Sequence, residues 1–291
     1  METVPWNVGK FKISQIVETE AGAIIQEALP DATSEAIKKI DWLAPHYADA
    51  DGHLKAVVQS FVIQNDTVTM IVDTCVGNDK HRVDLAAWGN LQTNYLDKLL
   101  AMGIKPTDVT HVLCTHLHFD HIGWNTQWVG GQWVPTFPNA RYLFAKDEWA
   151  YWQSSPEKEI ADDRQGITDS ATPVVEAGLV QLIDVDDTVT PGISVFPTPG
   201  HTPHHISVLI QSEGHQAIIT GDAIHHPCQI HHVDWCSLAD FSKEQAVHSR
   251  KALLQRTAGS QTLVMGSHFA APTGGTIVQE GGLFRFVPKT K

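Results

Sequence analysis

Three scarcities narrow the possibilities before any motif is considered. Cysteine is rare: Cys75, Cys114, Cys228 and Cys236 are all there are, and none forms a Cys-x-x-Cys pair. Nothing in their spacing matches a thiolate zinc site, so free thiols are expected, with Cys114 in the core. Cys228 and Cys236 share a histidine-rich loop, and a pairing or a metal contact is the alternative there. Basic residues are also few. Twenty Lys and Arg against 33 Asp and Glu give a net charge of −13, which speaks against a nucleic-acid groove, since such grooves need a basic surface. Finally, no run approaches the roughly 18 apolar residues of a membrane span. Met1–Trp6 has neither a basic n-region nor an apolar h-region. A soluble, cytoplasmic protein is the expectation.

Histidine is abundant instead, with 17 residues. His46, His53, His81, His215 and His248 read as scattered surface residues, whereas the others gather at 111–121, 201–205, 225–232 and 268. Residues 115–121 read Thr-His-Leu-His-Phe-Asp-His. Imidazoles and a carboxylate at this density suit zinc and similar divalent metals. In an extended segment alternate side chains share a face, so His116, His118 and Asp120 are expected to point one way. His121 then comes from the following turn, and the segment can serve two neighbouring metals.

The surrounding chain alternates strand and helix signals. Strands are expected at 11–17, 57–64, 67–73 and 109–114, the last delivering the histidine motif. A helix is expected at 90–102, ending at Gly103. Residues 20–55 read as irregular apart from a short helix at 34–42, and serve as a lid, a pocket wall or a plain surface insertion. Beyond the motif come a strand at 141–145, a helix at 146–152, and strands near 179–183, 192–196, 205–211, 216–220 and 262–265. Ser242 with Gln245 signals the start of a helix reaching Arg256, and a hairpin near 274–287 closes the chain. No low-complexity linker separates the halves. One α/β domain over 1–291, four layers with helices outside two sheets, fits this order.

Three further fragments follow apolar runs and end in potential ligands: Pro199-Gly200-His201, Gly221-Asp222 and Gly266-Ser267-His268. With His116-x-His118-x-Asp120-His121, their order and spacing resemble the metallo-β-lactamase superfamily over residues 10 to 287. Val72-Asp73-Thr74 resembles that superfamily's earlier strand-end aspartate motif, with Cys75 where glycine is usual. The resemblance implies the four-layer αββα sandwich and two divalent metals, zinc above others. His116, His118 and His201 would hold one metal, Asp120, His121 and His268 the other, and Asp222 would bridge them. Asp73 would orient a ligand. A bridging hydroxide would then carry out hydrolysis, with Asp120 orienting it.

Details of the motif select among branches. Flavo-diiron members carry glutamate at the position of His118, so imidazole there favours hydrolysis. True β-lactamases lack the bridging aspartate, nuclease members want a basic surface, and glyoxalase II members add a helical C-terminal region. The tail from Gly266 through Phe284-Arg285-Phe286-Val287-Pro288 is similar to methyl parathion hydrolase and its lactonase or esterase relatives. A small uncharged or aromatic ester or lactone is the expected substrate, with phosphotriester turnover as a promiscuous activity. Homoserine-lactone hydrolases often place tyrosine three residues after the bridging aspartate; His225 stands there, either polarising substrate, protonating the leaving group or merely lining the pocket. Trp124, Trp128, Trp133 and Trp235 read as an aromatic cleft or as packing residues. Relatives in this branch are often homodimers. The competing readings are a β-lactamase-like amidase and a non-hydrolytic metal-binding or redox protein.

Overall fold

The computed structural model describes residues 5–154 and 159–289. Met1–Val4, part of the segment read for a leader, lie outside them. The chain forms two compact units, residues 1–19 with 58–184 and residues 20–57 with 185–291. No described helix is long and apolar enough to cross a membrane.

The first unit holds strands β1 (Trp6–Val8), β2 (Phe11–Glu20), β3 (Val57–Gln64), β4 (Thr69–Val72), β5 (His111–Leu113), β6 (Thr126–Val129), β7 (Gln132–Pro135), β8 (Arg141–Ala145) and β9 (Val180–Ile183). Seven of them form one sheet in the order β1-β2-β3-β4-β5-β8-β9, and β6 and β7 make a separate hairpin. β3 and β8 are buried along almost their whole length, the pattern of strands covered on both faces. Asn65 Oδ1 accepts the N–H groups of Thr67 and Val68 at 2.9 and 2.8 Å, closing the β3–β4 turn in the way an Asx turn does. The parallel pairs β4–β5 and β5–β8 bring the C-terminal ends of these strands to one edge. Val72 pairs with Leu113, so Asp73 stands beside the start of the histidine loop.

The second unit holds β10 (Thr188–Thr190), β11 (Ile193–Pro197), β12 (Ile206–Ser212), β13 (His215–Ile219), β14 (Leu263–Met265), β15 (Gly274–Glu280) and β16 (Leu283–Pro288), which form a sheet in chain order. Only β13–β14 is parallel. A parallel neighbour needs a long crossover, and the helix Lys243–Thr257 lies within it. Ser242 caps this helix through its side chain and Gln245 N–H, as expected. Ile219 pairs with Met265, so the segments leading to Asp222 and His268 leave the sheet side by side.

Several elements depart from the expected layout. Gly22–Ala28 is a helix within a stretch expected to be irregular. Its buried Ile25 and the buried residues that flank it at either end, Ala21 and Leu29, recur every fourth position, a period obscured by the adjacent Ile24-Ile25 pair. Residues Ala161–Glu176 are helical with one π turn. Ile167, Ala171 and Val174 recur at helical spacing, but Asp162, Asp163 and Asp169 are buried in the same run and mask the apolar pattern. Most relevant to function, β5 stops at Leu113 and Phe119–Ile122 is one helical turn. Asp120 therefore sits on a helix and does not continue a strand face shared with His116 and His118. Residues 20–55 are no loose insertion either: Tyr47 is fully buried and its hydroxyl donates to Pro272 O at 2.6 Å.

That helical turn ends against the loop after β4. Gly123 N–H donates to Cys75 O at 2.7 Å, and a Cβ on Gly123 would stand 1.8 Å from Val76 O. Gly123→Ala must push the two segments apart. The expected loss is about 3 kcal/mol of unfolding free energy by urea denaturation, and a loss below about 1 kcal/mol would contradict this close approach.

Candidate functional site

In the first unit the histidine loop is held by buried carboxylates. Asp73 Oδ1 accepts Thr115 N–H at 2.8 Å, Glu148 Oε1 accepts Leu117 N–H at 3.2 Å, and Asp163 Oδ1 accepts Phe119 N–H at 3.1 Å. Alternate N–H groups of an extended segment face one side, so residues 115, 117 and 119 turn theirs toward this acidic support. Asp73 Oδ2 also accepts His121 Nδ1–H at 2.9 Å and Thr115 Oγ1–H at 3.0 Å. With its hydroxyl proton committed, Thr115 Oγ1 accepts from His116 Nδ1 at 3.1 Å. This network assigns the Nδ1–H tautomer to both His116 and His121, leaving each Nε2 as a lone-pair donor. His116 Nε2 lies 3.1 Å from His118 Nδ1, and His121 Nε2 lies 3.7 Å from Asp120 Oδ2.

Electrostatics in this unit favour positive charge. Burial lowers the pKa of His118, but Asp163, Glu159, Asp120 and Glu148 outweigh it and leave the imidazole raised. Burial pushes Asp163 up to about 6 against the opposing pull of His118 and Phe119 N–H.

In the second unit three imidazoles surround one carboxylate. Asp222 Oδ2 lies 3.2 Å from His268 Nε2, 3.4 Å from His225 Nε2 and 3.5 Å from His201 Nε2. The far nitrogens of two rings are committed: His268 Nδ1 donates to Val57 O at 3.0 Å, and His201 Nδ1 to Asp240 Oδ1 at 3.1 Å. Their Nε2 lone pairs thus face a carboxylate oxygen at close range, an arrangement relieved by a cation. The donor set fits a divalent metal on that ground, and the acidic support of the first unit fits one too. His205 Nε2 accepts the Asp222 N–H at 2.9 Å, while its Nδ1 lies 2.8 Å from Thr198 Oγ1; this ring fixes the backbone of Asp222.

Each unit thus brings its own share of the expected site together: His116, His118, Asp120 and His121 in one, His201, Asp222, His225 and His268 in the other. His225 is buried, and its Nδ1 has no hydrogen-bond partner among the described residues. Burial is the main cause that pushes its imidazole down to about 3, with Asp222 opposing and His201 reinforcing the shift. The ring is neutral at pH 7. The adjacent His226 has a structural task instead, with Nε2 2.9 Å from Tyr47 O and Nδ1 accepting Cys228 N–H at 3.1 Å.

Several expectations change at this level. Trp124 is not a cleft residue: it is buried, stacks on Tyr95 with ring centroids 5.2 Å apart, and donates to Glu18. Trp128 and Trp133 form a cross-strand pair on the β6–β7 hairpin, and Trp235 stacks on His232. All four cysteines are free thiols. Cys75 has φ +55°, which explains why glycine suits this position. Glu148, Asp163, His205, Asp240 and Arg250 were not singled out by the motif reading. Only His205 carried a signal, through the histidine cluster at 201–205; the others are distant in sequence from the ligands they support.

Comparison with known proteins follows the same lines. The family model described as the metallo-beta-lactamase superfamily matches residues 55–259, more than half of the chain. An N-acyl homoserine lactonase of Bacillus cereus is 28% identical over 172 residues, 58% of this chain and 60% of the relative's own length. Metallo-beta-lactamase domain-containing protein 1 of Xenopus laevis is 29% identical over 164 residues, covering 56% of this chain and 52% of that protein. Among solved structures, the dizinc quorum-quenching lactonase AidC superposes with a TM-score of 0.76 at 19% identity, covering 99% of this chain and 97% of its own. The hydrolase AbOPH, in the beta lactamase superfamily, gives 0.82 at 21% identity, covering 100% and 99%. The fold is accordingly the metallo-beta-lactamase fold, an α/β arrangement of sheets flanked by helices.

The support of the histidine loop is directly testable. Asp73→Ala removes the acceptor of Thr115 N–H, Thr115 Oγ1–H and His121 Nδ1–H. It should cost about 3 kcal/mol of stability in the metal-free protein. Asp73→Asn keeps an acceptor and tolerates the φ of +55° at this position, so its loss should stay near 1 kcal/mol. Equal losses in chemical denaturation would show that the carboxylate does not organise the loop.

Proposed function

The chain belongs to the metallo-beta-lactamase superfamily, and on that premise we propose that it is a dinuclear metal-dependent hydrolase of lactones or aryl esters. Phosphotriester turnover is proposed as a secondary activity, and kinship lies with the branch of lactonases and methyl parathion hydrolase. The observation that carries the reading is the convergence of three imidazole Nε2 atoms on Asp222 Oδ2, in the same chain as a carboxylate-supported histidine loop. Relatives described as N-acyl homoserine lactonases and a dizinc lactonase among the structural neighbours support the choice of a lactone and of zinc. Residues 1–291 act in this proposal as one catalytic domain, because neither unit alone contains every ligand.

Two zinc ions would be held by His116, His118 and His201 on one side and by Asp120, His121 and His268 on the other, with Asp222 shared. When bound, such metals supply Lewis acidity that makes water nucleophilic near neutral pH and polarises a carbonyl or phosphoryl oxygen. The chain's own groups do the rest. Asp73 orients His121 through its Nδ1, and the Val57 carbonyl does the same for His268. Asp120, whose side chain is 13% exposed, would accept a hydrogen bond from the attacking water and fix its direction. His225 is neutral, so its proposed task is to donate a hydrogen bond from an uncharged N–H to a substrate oxygen, without acting as an imidazolium acid.

A hydrolysis screen of the zinc-loaded protein decides the substrate class. The kcat/KM for lactones or aryl esters should exceed that for a cephalosporin at least about 100-fold; the reverse order would replace the proposal with an amidase. Asp222→Asn should lower zinc content and turnover together while the metal-free protein keeps its thermal midpoint. Unaltered turnover would remove Asp222 from the site. His225→Ala should leave zinc content unchanged and lower kcat by about 10- to 100-fold; a joint loss of zinc and turnover would make it a ligand, and an unaltered kcat would remove it from the reaction.

A further inference from the structure

Behind His201 and Asp222 lies a buried charged pair that the motif does not include. Asp240 is in the loop between β13 and the helix Lys243–Thr257, and its side chain has no exposed surface. One oxygen, Oδ1, faces His201 Nδ1 at 3.1 Å; the other, Oδ2, accepts Ser237 N–H at 2.9 Å. Arg250, on the helix, is fully buried. Its Nη2 stands 3.9 Å from Asp240 Oδ2, too far for a hydrogen bond but close enough for Coulombic compensation in a low-dielectric setting. The other guanidinium nitrogens grip backbone. Nε donates to Ala223 O at 3.0 Å, and Nη1 donates to Val233 O and Trp235 O, each at 2.7 Å. Ala223 directly follows Asp222, and residues 233–235 lead into the loop that carries Asp240.

The same helix and the two residues that lead into it hold the His201 loop by three contacts. Ser249 Oγ donates to Pro199 O at 2.6 Å, and the Phe241 and Ser242 N–H groups donate to His201 O and Gly200 O at 3.0 and 2.9 Å. At Gly200, φ is +139° and a Cβ would lie 2.1 Å from Ala246 N, so only glycine lets the loop approach the helix this closely.

We propose that Arg250 and Asp240 form a positioning relay for the metal site. Asp240 fixes the Nδ1–H tautomer of His201 and presents its Nε2 lone pair. Arg250 offsets the buried carboxylate charge and ties the chain at Asp222 to the loop of Asp240. Neither residue touches substrate; both act through His201 and Asp222. The inference rests on the reading that these two residues are metal ligands. A carboxylate behind a ligating imidazole makes it a better donor, and losing such a partner costs about 10- to 100-fold in metal affinity.

The test titrates the metal-free full-length protein with zinc alone, in competition with a chromophoric chelator, for wild type, Asp240→Asn, Arg250→Lys and His201→Ala. Asp240→Asn keeps the shape but removes the charge. It should weaken one of the two zinc equivalents by about 10- to 100-fold and leave the other within about threefold. Arg250→Lys should weaken binding because an ammonium cannot reproduce the fork to Ala223, Val233 and Trp235. Wild-type affinity at both equivalents in Asp240→Asn, alongside a lost equivalent in His201→Ala, would overturn the relay alone. Two intact equivalents in His201→Ala would overturn the ligand reading beneath it. If a variant fails to fold, the wild-type protein still decides: ¹⁵N–¹H correlation spectra of the metal-free chain should show His201 protonated on Nδ1, and the Nε2–H tautomer would overturn the proposal.

Discussion

Three acidic side chains hold the backbone of the histidine loop at alternate residues, and the chemistry of the first unit depends on that hold. A segment carrying His116, His118 and His121 buries Leu117, Phe119 and Ile122 alongside them, but those apolar contacts leave its backbone N–H groups without acceptors. Asp73, Glu148 and Asp163 supply the fixation by accepting N–H groups at 115, 117 and 119. Hydrogen bonds between backbone N–H groups and buried carboxylates are stronger than neutral ones. They also consume donors that would otherwise be buried without partners. The imidazoles then need no strand around them to keep their direction.

The same support carries an electrostatic cost. Several carboxylates collected beneath three imidazoles create a negative interior that favours a positive charge, visible in the raised pKa of His118, while burial holds Asp163 up. The second unit repeats this logic with other residues. Asp222 is approached by three Nε2 atoms, its backbone is held by His205, and the charge of Asp240 is offset by Arg250. In each case the partner of a ligand candidate is itself buried and hydrogen-bonded, so rotamers are set by two layers of contacts. Preorganisation of this kind lets a polar site exist inside an apolar fold without collapsing onto itself.

The ligand candidates were legible because each stands just beyond an apolar run that could be read as a strand: Val112 and Leu113 before the motif, Ala217–Ile219 before Asp222, and Leu263–Met265 before His268. Histidine so clustered has few structural explanations, and the reading of Asp73 as an orienting residue agrees with its bonds to Thr115 and His121. The supporting residues were not legible. Glu148 lies on the helix Lys146–Gln153 with no motif to mark it, and residues 161–176, which bury Asp162, Asp163 and Asp169, received no element in the reading of the sequence. Hydrophobic periodicity detects only elements that bury apolar faces. The tryptophans left two readings open, cleft or packing, and for Trp124 packing holds, because Glu18 at the end of β2 and Tyr95 claim the ring.

By itself the sequence determined the donor types, their order, their attachment to strand ends and the family, because these depend on residue identity and local spacing. It also determined the net charge of −13, which speaks against a nucleic-acid groove. The tertiary structure alone decided which ring nitrogen of His116, His121, His201 and His268 a supporting group engages, where the stabilising carboxylates come from, and that burial holds the pKa of His225 low. Those properties depend on contacts such as Thr115 with Asp73, Val57 with His268 and Asp240 with His201. The partners lie tens to hundreds of residues apart, and a buried hydrogen bond over such a separation leaves no periodic trace in the chain.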